Sequence, residues 1–61
     1  MTYDQAIEYL KEVTKYDTED KLIRFVKEIY YDYDIPITEK SVKHGIMTYA
    51  EYLKTNTIYI N

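Results

Sequence analysis

The sequence predicts a mainly α (α+β) fold, a compact domain of three to four helices with a small two-stranded β element. Three observations support this prediction. Apolar residues recur at helical spacing in the first half of the chain, threonines able to cap helices precede the periodic stretches, and the chain closes on alternating polar and apolar residues. A length of 61 residues leaves room for one domain, residues 1–61, with a small core.

The first helix is predicted over residues 2–16. Thr2 is the expected N-cap, and Gln5, three residues later, completes a capping box. The predicted apolar face consists of residues at helical spacing: Tyr3, Ala6, Ile7, Leu10 and Val13.

The second helix is predicted to begin within residues 17–20, whose acids suit the positive end of a helix dipole. It is expected to end at about Tyr31 or Tyr33, because Pro36 prevents any continuation. Its predicted core stripe contains Leu22, Ile23, Phe25, Val26, Ile29, Tyr30 and Tyr33.

Two shorter helices are predicted in the second half of the chain. Thr38 is expected to cap residues 39–43, and Gly45 is expected to end that segment in the left-handed conformation. Thr48 and Glu51 then form a second capping box, which predicts a new helix start.

The last predicted helix ends near Thr55, with Asn56 as its C-cap. Residues 57–60 alternate polar and apolar side chains and are rich in β-formers, so we predict a strand there. Residues 35–37 are the expected pairing partner of this strand.

The composition excludes several classes of function. The chain has no cysteine, one histidine and one glycine, which argues against disulfides, zinc-type metal sites and phosphate-binding loops. A domain of this size is also expected to lack pockets of roughly 300 Å³ or more. We therefore expect no enzyme activity, no metal and no cofactor, and we interpret His44 as a side chain near a helix C-terminus rather than a general base.

No apolar run approaches the roughly 18 residues of a membrane-spanning helix. Asp4 and Glu8 interrupt any signal-peptide pattern. The expected location is cytoplasmic, and no membrane is expected as a partner.

Charge is distributed unevenly along the chain. The net charge is −3; residues 1–34 carry nine acids and five bases, whereas residues 35–61 carry two acids and three bases. Nine tyrosines are also present, and tyrosine is enriched at protein–protein interfaces and their hot spots. The codon bias of an AT-rich genome is the alternative explanation of the tyrosine content.

The run YYDYD at residues 30–34 is the candidate contact surface. Two of its tyrosines, Tyr30 and Tyr33, are also expected to reach the core. The acids of the first two helices are expected to add negative electrostatic potential around this surface. The predicted partner-binding residues are Tyr31, Asp32, Tyr33, Asp34, Glu12, Asp17, Glu19 and Asp20.

The favoured interpretation is a non-enzymatic, acidic protein-binding module that modulates or inhibits a larger partner with a basic surface, such as a nucleic-acid-binding protein. This character is similar to that of small phage-encoded host-takeover proteins and inhibitors, including anti-CRISPR proteins, although no motif matches one family. A homodimer formed through an exposed strand edge is a further candidate.

The alternative interpretation is a small helix-turn-helix or winged-helix-like DNA-binding regulator, suggested by the order of the predicted elements. Its face would comprise Lys40, Ser41, Lys43, His44 and Lys54. Nucleic acid is the less favoured partner, because the first half of the chain is acidic and Arg24 is its single arginine.

The opening MTYDQAIEYLK is echoed by MTYAEYLK at residues 47–54. We interpret the echo as two helix starts that use the same capping residues. An internal repeat is the alternative.

Overall fold

The computed structural model describes the backbone of residues 1–60 and the side chains of residues 1–56. It contains three helices, α1 (Tyr3–Val13), α2 (Glu19–Asp32) and α3 (Glu39–Ile60). Helix α3 packs against both other helices, which contact each other less. The helical part of the predicted fold class is therefore confirmed.

The predicted β element is wrong. Residues 35–37 are neither helix nor strand, residues 57–60 continue α3, and no strand occurs within residues 1–60. An isolated pair of short strands is marginally stable in water. Continuing α3 instead lets the amides of residues 57–60 donate to carbonyls one turn earlier in the same helix. The strand edge that suggested a homodimer is therefore absent from the described part of the chain.

Helix α1 begins as predicted and ends earlier than predicted. The amide of Gln5 donates to Thr2 Oγ1 at 3.2 Å, and the Thr2 amide donates to Gln5 Oε1 at 2.9 Å, which completes the capping box. At the other end, the Thr14 hydroxyl donates to the Leu10 carbonyl at 2.6 Å and accepts from the Tyr16 amide at 3.1 Å. These side-chain bonds compete with the helix and turn the chain away at Thr14.

Helix α3 is a single helix of 22 residues, where two short ones were predicted. At about 1.5 Å per residue it extends for about 33 Å, close to the 34 Å longest dimension of the molecule. Val42, Ile46 and Ala50 are buried at four-residue spacing along it. Their burial against α1 and α2 outweighs the local signals that predicted a break.

Gly45 is not in the left-handed conformation, because no glycine has a positive φ. Because Gly45 has no side chain, Tyr30 and Val26 of α2 can instead pack closely against α3 at this position. A Cβ atom at this position would lie 3.0 Å from both Tyr30 Cζ and Val26 Cγ1 and would overlap the Tyr30 hydroxyl. Thr48, predicted as a second N-cap, lies inside α3. The echo of residues 1–11 in residues 47–54 therefore does not mark a second helix start.

The core is one cluster to which all three helices contribute. Val13 and Tyr33, both predicted to be buried, are 50% and 75% exposed. Tyr30 is partly buried against the cluster, as predicted. The buried residues are Ala6, Ile7, Leu10, Leu22, Val26, Val42, Ile46 and Ala50.

Candidate protein-binding surface

The run YYDYD covers the end of α2 and the turn that follows. Tyr31 and Tyr33 are 78% and 75% exposed, the highest values among the large hydrophobic side chains of the described residues. Asp32 and Asp34 are also exposed. Two large rings and two carboxylates therefore face solvent side by side, as expected for Tyr31, Asp32 and Asp34. Tyr33 is exposed with them instead of serving the core.

The turn after α2 is a Schellman motif. The Ile35 amide donates to the Tyr30 carbonyl at 2.8 Å, and the Asp34 amide donates to the Tyr31 carbonyl at 3.3 Å. Asp34 occupies the left-handed position of this motif, with φ of 56°. Glycine is the usual residue there, since an L side chain crowds the following carbonyl.

Two unfavourable choices therefore coincide at Asp34. Besides its positive φ, the carboxylate lies at the negative end of the α2 dipole, as does that of Asp32. No basic residue occupies the last turn of α2 to offset them. Departures from local stability rules of this kind concentrate at functional sites.

An open groove, here called the α2 groove, runs along the outer side of α2. Its volume is about 730 Å³. It is lined by Asp20, Ile23, Arg24, Lys27, Glu28, Tyr31, Asp32 and Ile37. Asp20, Arg24, Glu28 and Asp32 follow one another at four-residue spacing, so they form one row of about 18 Å along the helix.

A second groove, here called the Tyr3 groove, lies at the N-terminal ends of the three helices and has a volume of about 600 Å³. It shares Ile23, Lys27 and Ile37 with the α2 groove. Its other lining residues are Tyr3, Asp4, Glu19, Thr38, Glu39, Val42 and Lys43. The two grooves therefore meet at the shared side chains.

The structure separates the predicted partner-binding residues into four groups. Asp20, Tyr31 and Asp32 line the α2 groove, and Glu19 lines the Tyr3 groove. Tyr33 and Asp34 belong to the adjoining turn. Glu12 and Asp17 line neither groove. Asp17 Oδ1 instead accepts from Lys21 Nζ at 2.8 Å, which lowers the pKa of the Asp17 carboxyl.

Sequence reasoning missed the apolar and basic part of this surface. Ile37 is 44% exposed and lines both grooves, although it was predicted to pair with another strand. Arg24 and Lys27 line the α2 groove and form no ion pair within 4 Å among the described residues. The four-residue spacing of Asp20, Arg24 and Glu28 was the available signal, but Ile37 reaches them only through the fold.

Tyr3 is held at the edge of its groove by polar contacts. Its hydroxyl donates to Glu19 Oε2 at 2.7 Å, and Lys43 Nζ lies 5.4 Å from the centre of its ring. Burial, with the Glu19 hydrogen bond and charge as further causes, raises the pKa of Tyr3 to about 12. Tyr3 therefore keeps its proton at neutral pH and links α1 to α2 as a hydrogen-bond donor.

Several residues of the alternative basic face take part in contacts within α3. The Ser41 hydroxyl accepts from the Thr38 amide at 2.9 Å, and the Ser41 amide donates to Thr38 Oγ1 at 3.0 Å, so Ser41 is part of the cap of α3. Lys43 pairs with Glu39 at 3.4 Å. Lys40 and Lys54 are 14 positions apart on α3, about 21 Å along the axis. Lys54 therefore lies apart from Lys40, Lys43 and His44, which are close together on α3.

His44 instead contributes to an apolar groove of about 430 Å³ between α2 and α3. Its position is inside α3, not near a helix C-terminus as predicted. The groove includes Ile29, Tyr49 and the 62% exposed Tyr52. The Phe25 ring packs between two tyrosines. Its centre lies 4.6 Å from that of Tyr16, in the turn between α1 and α2, and 5.3 Å from that of Tyr49, in the apolar groove.

These three grooves, of about 730, 600 and 430 Å³, are larger than a chain of this length was expected to form. All are open.

Within the described residues, no three side chains of the histidine, cysteine, aspartate or glutamate types are arranged to hold a metal ion. None of the helices in that part of the chain combines the length and apolar character needed to cross a bilayer. Comparison with protein-family models, curated proteins and solved structures finds no match to this chain.

Proposed function

We propose that the chain is a non-enzymatic, acidic protein-binding module that modulates or inhibits a larger protein with a basic surface. The contact surface comprises the α2 groove and the adjoining turn. The observation that supports this proposal most directly is the high exposure of Tyr31 and Tyr33 beside Asp32 and Asp34. Tyrosine is among the residues that contribute most to binding free energy at interfaces.

The charges around these rings indicate the sign of the partner. Asp20 and Glu28 share a row with Asp32 along α2. Glu12, Asp17 and Glu19 lie outside this row and act in the proposal as additional negative field, which steers association more than it adds contacts. A nucleic-acid-binding protein offers a basic surface of the required kind.

The test is an affinity pull-down of the tagged chain from lysate of its native host, in the presence of RNase and DNase. The wild type is expected to retain one stoichiometric protein, and the Tyr31→Ala/Asp32→Asn variant is expected to lose it. Tyr52→Ala/Glu8→Gln is the matched control, since Tyr52 and Glu8 are an exposed tyrosine and an acid outside both grooves.

Equal retention by all three proteins contradicts the assigned surface. Recovery of nucleic acid in place of a protein, when the nucleases are omitted, contradicts the proposed partner and favours the Lys40–Lys54 face. Circular dichroism of each variant establishes that the loss of binding is not a loss of folding.

A further inference from the structure

The two joined grooves carry the whole net charge of the chain. Six carboxylates line them, against three basic side chains, for a net charge of −3. The remaining five acids and five bases of the sequence cancel. The carboxylates are Asp4, Glu19, Asp20, Glu28, Asp32 and Glu39, and the bases are Arg24, Lys27 and Lys43.

Most of these carboxylates are available for a partner. Glu39 pairs with Lys43, and Glu19 accepts the hydrogen bond of Tyr3. The other four form no ion pair within 4 Å with any described residue. Asp4 lines the Tyr3 groove, and Asp20, Glu28 and Asp32 line the α2 groove.

Where the two grooves meet, Ile23 and Ile37 form an apolar step beside Lys27. All three residues line both grooves, and Ile37 is 44% exposed. An aliphatic side chain placed on the two isoleucines would remove apolar surface from water on both partners. The joined grooves thus combine an apolar step at their junction with a net negative lining.

The Tyr31 end of the joined grooves suits arginine better than lysine. The Tyr31 ring is 78% exposed, and Glu28 and Asp32 lie one helical turn apart beside it. A guanidinium group can stack on an aromatic face and, at the same time, donate two hydrogen bonds to one carboxylate. A lysine ammonium lacks the planar fork that makes both contacts.

We infer that the joined grooves bind one basic segment of the partner, with an arginine between Tyr31 and Asp32 and an aliphatic side chain against Ile23 and Ile37. This inference rests on the proposed protein-binding function and specifies the class of its ligand. Charge complementarity selects a basic segment over a nucleic acid, whose phosphates the net negative grooves repel.

The probe is a capped peptide with three arginines around a central leucine, titrated into the full-length, isotope-labelled chain and followed by NMR. Matched peptides carry lysine in place of arginine, or alanine in place of leucine. The expected result is amide shifts confined to α2 and residues 35–43. Affinity for the arginine peptide should exceed that for the lysine peptide by about two- to fivefold.

Two variants test the assigned contacts separately. Tyr31→Ala is expected to reduce the preference for arginine over lysine, because the stacking surface is lost while the Asp32 carboxylate remains. Asp32→Asn is expected to weaken both peptides, because both lose an anionic partner. Tyr52→Ala and Glu8→Gln, outside the joined grooves, should leave both affinities unchanged.

Equal affinities for the arginine and lysine peptides, or shifts centred on the apolar groove between α2 and α3, overturn the inference. So does displacement of the peptide by spermine at the same charge concentration, which indicates general polycation attraction. The proposed function survives these outcomes if the pull-down partner still depends on Tyr31 and Asp32. Loss of that dependence contradicts the proposed function as well.

Discussion

The Tyr30 hydroxyl lies over Gly45 and donates a hydrogen bond to the Ser41 carbonyl at 2.8 Å. This contact joins the end of α2 to the first half of α3. Because Gly45 has no side chain, the tyrosine ring can reach the backbone of α3. The glycine that the sequence marked as a helix end is therefore a place where α2 packs closely against α3.

Replacement of Gly45 should lower stability because Tyr30 packs so close to its backbone. In an unobstructed helix, glycine to alanine stabilises by up to about 1 kcal/mol. Here the added Cβ would overlap the Tyr30 hydroxyl, so we expect Gly45→Ala to lower the free energy of unfolding by about 1–3 kcal/mol. Urea denaturation measures the change.

Tyr30→Phe is the second variant of a double-mutant cycle with Gly45→Ala, because it removes only the Tyr30 hydroxyl. Alone it should cost about 1 kcal/mol through loss of the hydrogen bond to Ser41. In that background, the penalty of Gly45→Ala should fall, since the atom nearest the new Cβ is gone. Strict additivity of the two changes would show that Tyr30 and Gly45 are not coupled.

The continuity of α3 can be tested at Thr48. As an internal, exposed helical residue, Thr48 should tolerate alanine with no loss of stability and with a gain of up to about 0.5 kcal/mol. Thr38→Ala, at the true N-cap, should cost about 1 kcal/mol. Thermal denaturation of both variants decides between the two positions. A comparable loss at Thr48 would restore the predicted second helix start.

The left-handed position of the α2 turn provides a third prediction. Asp34→Gly should be more stable than Asp34→Ala by about 1 kcal/mol, because only glycine accepts the positive φ without crowding. For a domain of this size, that difference corresponds to about 4–8 °C in Tm. Both variants lose the carboxylate, so the comparison isolates the backbone. Equal Tm values would contradict the positive φ at Asp34.

Replacing the adjacent tyrosines Tyr30 and Tyr31 of α2 should change the free energy of unfolding by different amounts. Tyr31→Ala removes an exposed ring and should change the free energy of unfolding by less than about 0.5 kcal/mol. Tyr30→Ala removes a ring packed on the core and should cost about 3 kcal/mol or more. Chemical denaturation of the two variants tests this division. A large loss at Tyr31 would assign that ring to folding instead of binding.

Stability should depend on pH through Tyr3. The pKa of Tyr3 is about 12 in the folded chain, above the ordinary value of 10.0, so the unfolded chain releases this proton first as the pH rises. The stabilisation from Tyr3 is therefore complete below pH 10 and is lost as the pH rises to about 12.

The difference in unfolding free energy between wild type and Tyr3→Phe should accordingly narrow across that interval. Glu19→Gln should lower the pKa of Tyr3 without fully restoring its ordinary value, because burial remains. Titration of tyrosinate absorbance follows both effects. A constant difference between wild type and Tyr3→Phe would contradict the raised pKa.

The sequence by itself determined the starts of the three helices that form, although the same pattern also predicted a start at Thr48 that does not occur. The Thr2–Gln5 capping box and the caps at Thr18 and Thr38 all form as short-range hydrogen bonds. Such bonds join residues three positions apart, so their partners can be identified from the printed chain. The exposure of Tyr31, Asp32 and Asp34 could also be predicted from local sequence, because these residues lie in or just after the last turn of an amphipathic helix.

The tertiary structure alone decided how far α3 extends. This helix passes through Gly45 and Thr48 because its buried stripe is held by two other helices. The outcome depends on apolar burial between distant segments, which outweighs local propensities of a few tenths of a kcal/mol. The joined grooves have the same origin, since Ile37 meets Ile23 only after the chain has turned back from α2 towards α3.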